Sequence, residues 1–235
     1  MGNIDLCLYS LFIGHGILDF LILGKRIDYL FWYIGIIILY NLLLVLCHEL
    51  FLTLFIILSG YHFGVDFKFI TNDTTNLSIF TGWFFISSTL FCDNFQGITI
   101  WKEILEDFNF SEKEYDSTVD FIRQTYFLSL FALISGYDKL NPILLSLVFV
   151  IFLHVSKFDL MAYFLVFVDC FHVPITLRRF YNIYGKVSVI LLLFGTIVSY
   201  KILDNLVVEE NQFGLAISIS MAHMVFMTLW EHKII

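Results

Sequence analysis

Residues 50–67 read LFLTLFIILSGYHFGVDF, an apolar run long enough to cross a bilayer that nevertheless carries a histidine and an aspartate near its end, His62 and Asp66. About 18 or more apolar residues in succession are the mark of a transmembrane helix. An ionisable group inside such a run is costly and points to function. The same signature stands near the N-terminus, where His15-Gly16-Ile17-Leu18-Asp19 again places an Asp four residues after a His, with a glycine between. Two further histidines, His172 and His223, also sit inside apolar stretches.

Outward from these motifs the whole chain is apolar. Of 235 residues 59% are hydrophobic and 14% charged, and mean hydropathy is +0.86. Soluble domains average about 45–50% apolar and about 25% charged. The expected fold is therefore all-α, a polytopic integral membrane helical bundle forming a single transmembrane domain over residues 1–235. A net charge of -8 without a basic patch excludes nucleic acid as a partner. The four cysteines, Cys7, Cys47, Cys92 and Cys170, form no C-x-x-C pair and read as buried small hydrophobes. The first apolar run contains His15 and Asp19 and lacks a basic start and a small-residue cleavage site, so it reads as a retained span. Leu6 stands where a myristoylation signal has Ser or Thr.

Apolar windows place spans near 4–23, 29–47, 50–67, 77–96, 119–137, 141–156, 158–176, 186–203 and 213–231. The division at Cys47-His48-Glu49 and the short window 141–156 leave the count at seven to nine. Nine spans with the N-terminus outside put Lys25, Arg26, Lys68, Lys139, Arg178, Arg179, Lys186 and Lys233 on one face of the membrane. Lys102, Lys113 and Lys157 fall on the other, among acids such as Glu103, Glu106, Glu114, Glu209 and Glu210. This matches the accumulation of Lys and Arg on the cytoplasmic side, here of the cell membrane. Residues 101–118 then read as an external surface-lying helix. The four histidines fall on the first, third, seventh and ninth spans, all running the same way. Each lies about 8–14 Å inside the cytoplasmic boundary at roughly 1.5 Å per residue.

A shared depth is what a common metal requires, and imidazole suits iron, zinc or copper. The candidate ligands are His15, His62, His172 and His223. Asp19 and Asp66 follow two of them by four residues and Asp169 precedes His172 by three, spacings that share a helix face. Each Asp can orient its histidine through the second ring nitrogen or ligate directly; spacing leaves both open. Gly14, Gly16 and Gly64 thin the helix beside the histidines, a feature that close packing alone also explains. Pro174 predicts a kink or a helix end at His172. His48, His154 and His232 lie at span ends and read as solvated, with His154 the foremost of them.

Taken in order, His15-x-x-x-Asp19, Tyr61-His62-Phe63-Gly64-Val65-Asp66, Met161-Ala162-Tyr163-Phe164 leading to His172-Val173-Pro174, and His223-Met224 ahead of Trp230 resemble the Brp/Blh family of membrane β-carotene 15,15'-dioxygenases. The resemblance covers nearly the whole chain. It implies an Fe(II)-dependent enzyme that uses O2 to cleave the central double bond of β-carotene into two retinals, with the four histidines as metal ligands. Thr176 stands where the family's His-x-Pro-x-His motif has its second histidine, and Ala222 where the family tends to have proline. That departure supports an alternative, a non-catalytic carotenoid- or retinal-binding membrane protein. A rhodopsin-like photoreceptor needs a mid-membrane lysine, and only Lys201 comes near. A proton or ion transporter predicts titratable groups at several depths. The clustered histidine boxes of membrane desaturases do not occur.

Overall fold

A computed structural model describes residues 7, 10–11, 13–91, 111–155, 168–205 and 210–231, which contain helices and turns and no strand. In chain order they are a 3-10 helix His15–Asp19, then α1 (Phe20–Leu23), α2 (Ile27–Leu46), α3 (His48–Thr71), α4 (Leu77–Phe91), α5 (Glu112–Ser135), a 3-10 turn Tyr137–Lys139, α6 (Pro142–Val155), a π turn Val168–His172, α7 (Val173–Tyr184), α8 (Lys186–Asn205) and α9 (Glu210–Glu231). The all-α expectation holds. Among the described residues, α2 and α3 are long and apolar enough to cross a membrane, while Leu77–Leu90 and Ser218–Trp230 are shorter apolar helices. The chain gathers into two compact units, Met1–Tyr40 with Ala162–Ile235, and Asn41–Met161.

The apolar windows become helices because a helix satisfies the peptide groups of a long apolar run within the segment itself. Cys47 breaks the long run 29–67: its φ of -146° and ψ of 67° stop α2 and start α3. The outer face of α2 is apolar, with Phe31, Trp32, Leu42, Val45 and Leu46 exposed. Contiguous exposure of that kind marks a surface that meets lipid or another protein.

Three expectations about local structure are corrected. Residues 112–118 are the start of α5 and not a separate surface helix, because Ser111 and Glu114 form a reciprocal capping box that begins the helix there. Ser111 first, and His48 across the unit, hold the Glu114 carboxyl below its usual range. Residues 101–110 lie outside the described residues. The basic stretch 177–184, which fell between the expected spans 158–176 and 186–203, completes α7, and the reversal into α8 is made at Gly185 alone, whose φ of 61° favours a residue without a side chain. Finally, Cys7, Cys47 and Cys170 are exposed free thiols and not buried ones. A thiol suits an apolar outer face as well as a core. Cys92, His232 and the run 161–164 lie outside the described residues, as does the side chain of His154.

In the second unit α3 packs on α4 through glycines. A Cβ on Gly64 would stand 2.6 Å from Ile79 Cα, and one on Gly82 would strike the backbone of Gly60 and Gly64. The backbones therefore approach as small residues permit, and Trp83 Nε1 donates to the Ile57 carbonyl across the same crossing at 3.0 Å. Gly82→Ala is expected to destabilise the protein by about 1–3 kcal/mol, the usual cost of overpacking. Gly35→Ala, whose Cβ would meet nothing within 4 Å, is the neutral control. Thermal unfolding in detergent of the two variants checks this; equal midpoints would show that the crossing tolerates a methyl group.

Candidate metal centre

The first unit brings together three of the four sequence-predicted histidines. His15 opens the 3-10 helix, His172 closes the π turn before α7, and His223 lies within α9. Gly14 sets the position of His15. A Cβ there would come within 2.6 Å of the Thr196 backbone nitrogen, and one on Gly195 would reach 2.7 Å from Ile17. The two glycines let α8 press directly on the segment that carries His15. Gly16 by contrast faces nothing within 4 Å, so of the two glycines flanking His15 only Gly14 serves packing.

Pro174, the second residue of α7, has no N–H to give the carbonyl four residues earlier at Cys170. The chain answers by widening into the π turn Val168–His172. Such turns are rare and concentrate at functional sites. The kink expected at His172 takes this form.

The three rings meet through their Nε2 atoms. His15 Nε2 lies 3.1 Å from His172 Nε2 and 3.3 Å from His223 Nε2. The rings of His15 and each neighbour are perpendicular. All three residues are buried, at 4%, 3% and 6% exposure, so water does not solvate the cluster. On its other edge His223 Nδ1 stands 3.0 and 2.9 Å from the two oxygens of Asp19, which is 1% exposed. Tyr33 donates to Asp19 Oδ2 at 3.0 Å.

Hydrogen bonding between neutral rings serves this arrangement poorly. A ring nitrogen carries either one proton or one lone pair in the ring plane. His223 gives its Nδ1 proton to Asp19, so its Nε2 presents a lone pair to His15. His15 Nε2 faces two nitrogens. With neutral rings, a single proton on His15 Nε2 must be shared between the lone pairs of both neighbours. A cation removes the conflict by accepting all three lone pairs. The two spacings at His15, 3.1 and 3.3 Å, are those of neighbouring ligands on one ion, since metal–nitrogen bonds of roughly 2.0–2.1 Å place ligand nitrogens about 2.9–3.4 Å apart. The buried group His15, His172 and His223 can thus hold a metal ion. Three neutral donors leave coordination positions open, the pattern of a reactive centre more than of a structural one.

The carboxylates fall elsewhere than the spacing implied. Asp19 was expected on the face of His15, and it binds His223 instead. In an α-helix four residues return a side chain to nearly the same face, but in a 3-10 helix of three residues per turn they leave it roughly 120° away. Asp19 therefore swings from its own histidine to one 204 residues distant in sequence. Asp169 does not pair with His172: it is 7% exposed, and neither of its oxygens has a hydrogen bond. Thr176, one turn beyond His172 on α7, is fully buried with its hydroxyl unpaired. Buried polar atoms of this kind call for water or an ion.

His62 and Asp66 belong to the second unit, where both are 2% exposed and one turn apart on α3. His48, expected to be solvated, is half-buried and stands 3.3 Å from Glu114. Tyr33 carried no signal in the sequence, being one of 12 tyrosines, and the pairing of Asp19 with His223 carried none either. Compared with protein-family models, with curated proteins and with solved structures, the chain matches none.

Proposed function

We propose that this protein is a multi-pass membrane dioxygenase of the cell membrane that uses Fe(II) and O2 to cleave the 15,15' double bond of β-carotene, giving two retinals. The observation that carries this reading is the convergence of three buried Nε2 atoms in a cluster that could hold a metal ion. Iron is chosen over zinc because the motif order resembles that of an iron-dependent oxygenase family, and imidazole donors with open positions suit it.

Several contacts support the nine-span threading. Lys25 lies over the Tyr184 ring at 5.1 Å, Asn141 donates to the Thr71 carbonyl, and His48 meets Glu114. Each joins residues that the threading puts on one side of the membrane. The polyene substrate dissolves in lipid, so a centre within the bilayer avoids extracting it into water.

The chain's own residues do the holding and the excluding. His15, His172 and His223 would hold the ion, and Asp19 keeps His223 in the tautomer that offers Nε2. His62 is the fourth ligand that the resemblance implies. The bound iron would supply the one-electron chemistry that lets triplet O2 react with a closed-shell polyene. The overall change breaks one C=C bond and places one oxygen atom on each carbon. It neither takes up nor releases a proton, and no acid or base is required of the chain.

The test is retinal formation in cells that make β-carotene, with and without this protein, together with the metal content of the purified protein. Two retinals per carotene consumed and bound iron are expected. His62→Ala is expected to abolish retinal at near-normal expression, and full activity would remove His62 from the site. Carotenoid that co-purifies uncleaved with metal-free protein would instead favour the binding protein, the reading that Thr176 supports.

A further inference from the structure

We propose that Tyr33 is a positioning residue of the metal centre, acting on His223 through Asp19. Resting on the metal reading above, it adds a member that neither the motifs nor the spacing contains. The inference starts from how little holds Asp19. The carboxylate is 1% exposed, and among the described residues it has two hydrogen-bond partners: the Nδ1 edge of His223, shared between both oxygens, and the Tyr33 hydroxyl on Oδ2. A carboxylate facing one shared N–H is free to rotate about its Cβ–Cγ bond. A second donor on one oxygen removes that freedom and fixes the plane in which the His223 proton is received.

Tyr33 is itself held in place. Its ring packs edge-to-face on Phe226 at 5.5 Å between centroids. Phe226 is 1% exposed and lies three residues after His223, so both project from one side of α9. Asp19, His223, Phe226 and Tyr33 thus close a ring that ties the 3-10 helix, α9 and α2 together. The outer face of α2 presents Phe, Trp, Ile and Leu; Tyr33 is where this helix reaches the centre. A tyrosine placed for packing alone would do as well as phenylalanine. The hydroxyl, delivered to a buried carboxylate at 3.0 Å, is the part that packing does not need.

Outer partners of ligating histidines typically contribute 10- to 100-fold in metal affinity. The experiment measures Co(II) affinity by chelator competition on the full-length protein in detergent, for the wild type, Tyr33→Phe, Asp19→Asn and the double variant. Asp19→Asn is expected to weaken binding about 10- to 100-fold and Tyr33→Phe about tenfold. In the Asp19→Asn background the Tyr33→Phe change is expected to have no further effect, because the group it acts through is gone. The d–d bands of bound Co(II) should move in Tyr33→Phe while its unfolding midpoint stays put, since the ring and its contact with Phe226 remain. Unchanged affinity in Tyr33→Phe, or a tenfold loss that persists beside Asp19→Asn, overturns the inference and leaves the metal centre standing. A wild type that binds no Co(II) overturns both.

Discussion

Under the function proposed above, His15→Ala is expected to abolish metal binding and take retinal formation to background. His15 is the residue on which the other two rings converge: its Nε2 is 3.1 Å from that of His172 and 3.3 Å from that of His223. The centroids of His172 and His223 are 6.3 Å apart, against 4.8 and 4.9 Å for each to His15. Without the middle ring the remaining pair must either draw together or hold the ion as two distant donors. A loss of at least 100-fold in affinity follows, beyond what removing an outer partner costs. Gly14, which seats this segment against α8, is untouched, so the fold should survive. Metal per mole of protein after dialysis against a chelator, with retinal yield, checks the expectation. Stoichiometric metal in His15→Ala would sink the centre described here.

The second large effect runs the other way. Thr176→His is expected to raise metal affinity and retinal yield by about tenfold or more, the scale on which supporting groups act at metal sites. Thr176 follows His172 by one helical turn, so the two side chains leave α7 on one side. It is fully buried, and its hydroxyl makes no hydrogen bond. Replacing it forfeits no existing bond. Imidazole is larger than the threonine side chain, and strain of about 1–3 kcal/mol is the usual cost of overfilling a core. Thr176→Asp, which adds a donor in a smaller volume, separates the two effects. If both variants unfold at the wild-type temperature and neither changes iron occupancy or rate, position 176 lies outside the coordination sphere.

The two expectations draw on different levels of the chain. That His15, His172 and His223 would belong together was expected from one-dimensional reasoning: apolar runs, an assumed threading of spans, and similar distances from the charged ends, a reading that grouped His62 with them. Helix existence was legible for the same reason. The windows 29–47 and 50–67 became Ile27–Leu46 and His48–Thr71, since hydropathy reports directly on the surroundings a segment tolerates. Ends were less legible where polar residues extend a helix past the apolar window, as at 112–118 and 177–184. There a capping box and a lone glycine decide, and hydropathy does not register either.

The sequence by itself determined the chemistry available: all-helical structure, histidines inside apolar stretches, acids near them, and a threonine one turn beyond His172. Tertiary structure decided who partners whom. Asp19 stands four residues from His15 yet serves His223, because its segment winds as a 3-10 helix. Asp169 stands three residues from His172 yet does not bind it. Tyr33 reaches Asp19 because α2 lies alongside. Hydrophobic periodicity records which face of a helix is buried, whereas a hydrogen bond depends on the local winding of the backbone and on what another helix presents across the gap.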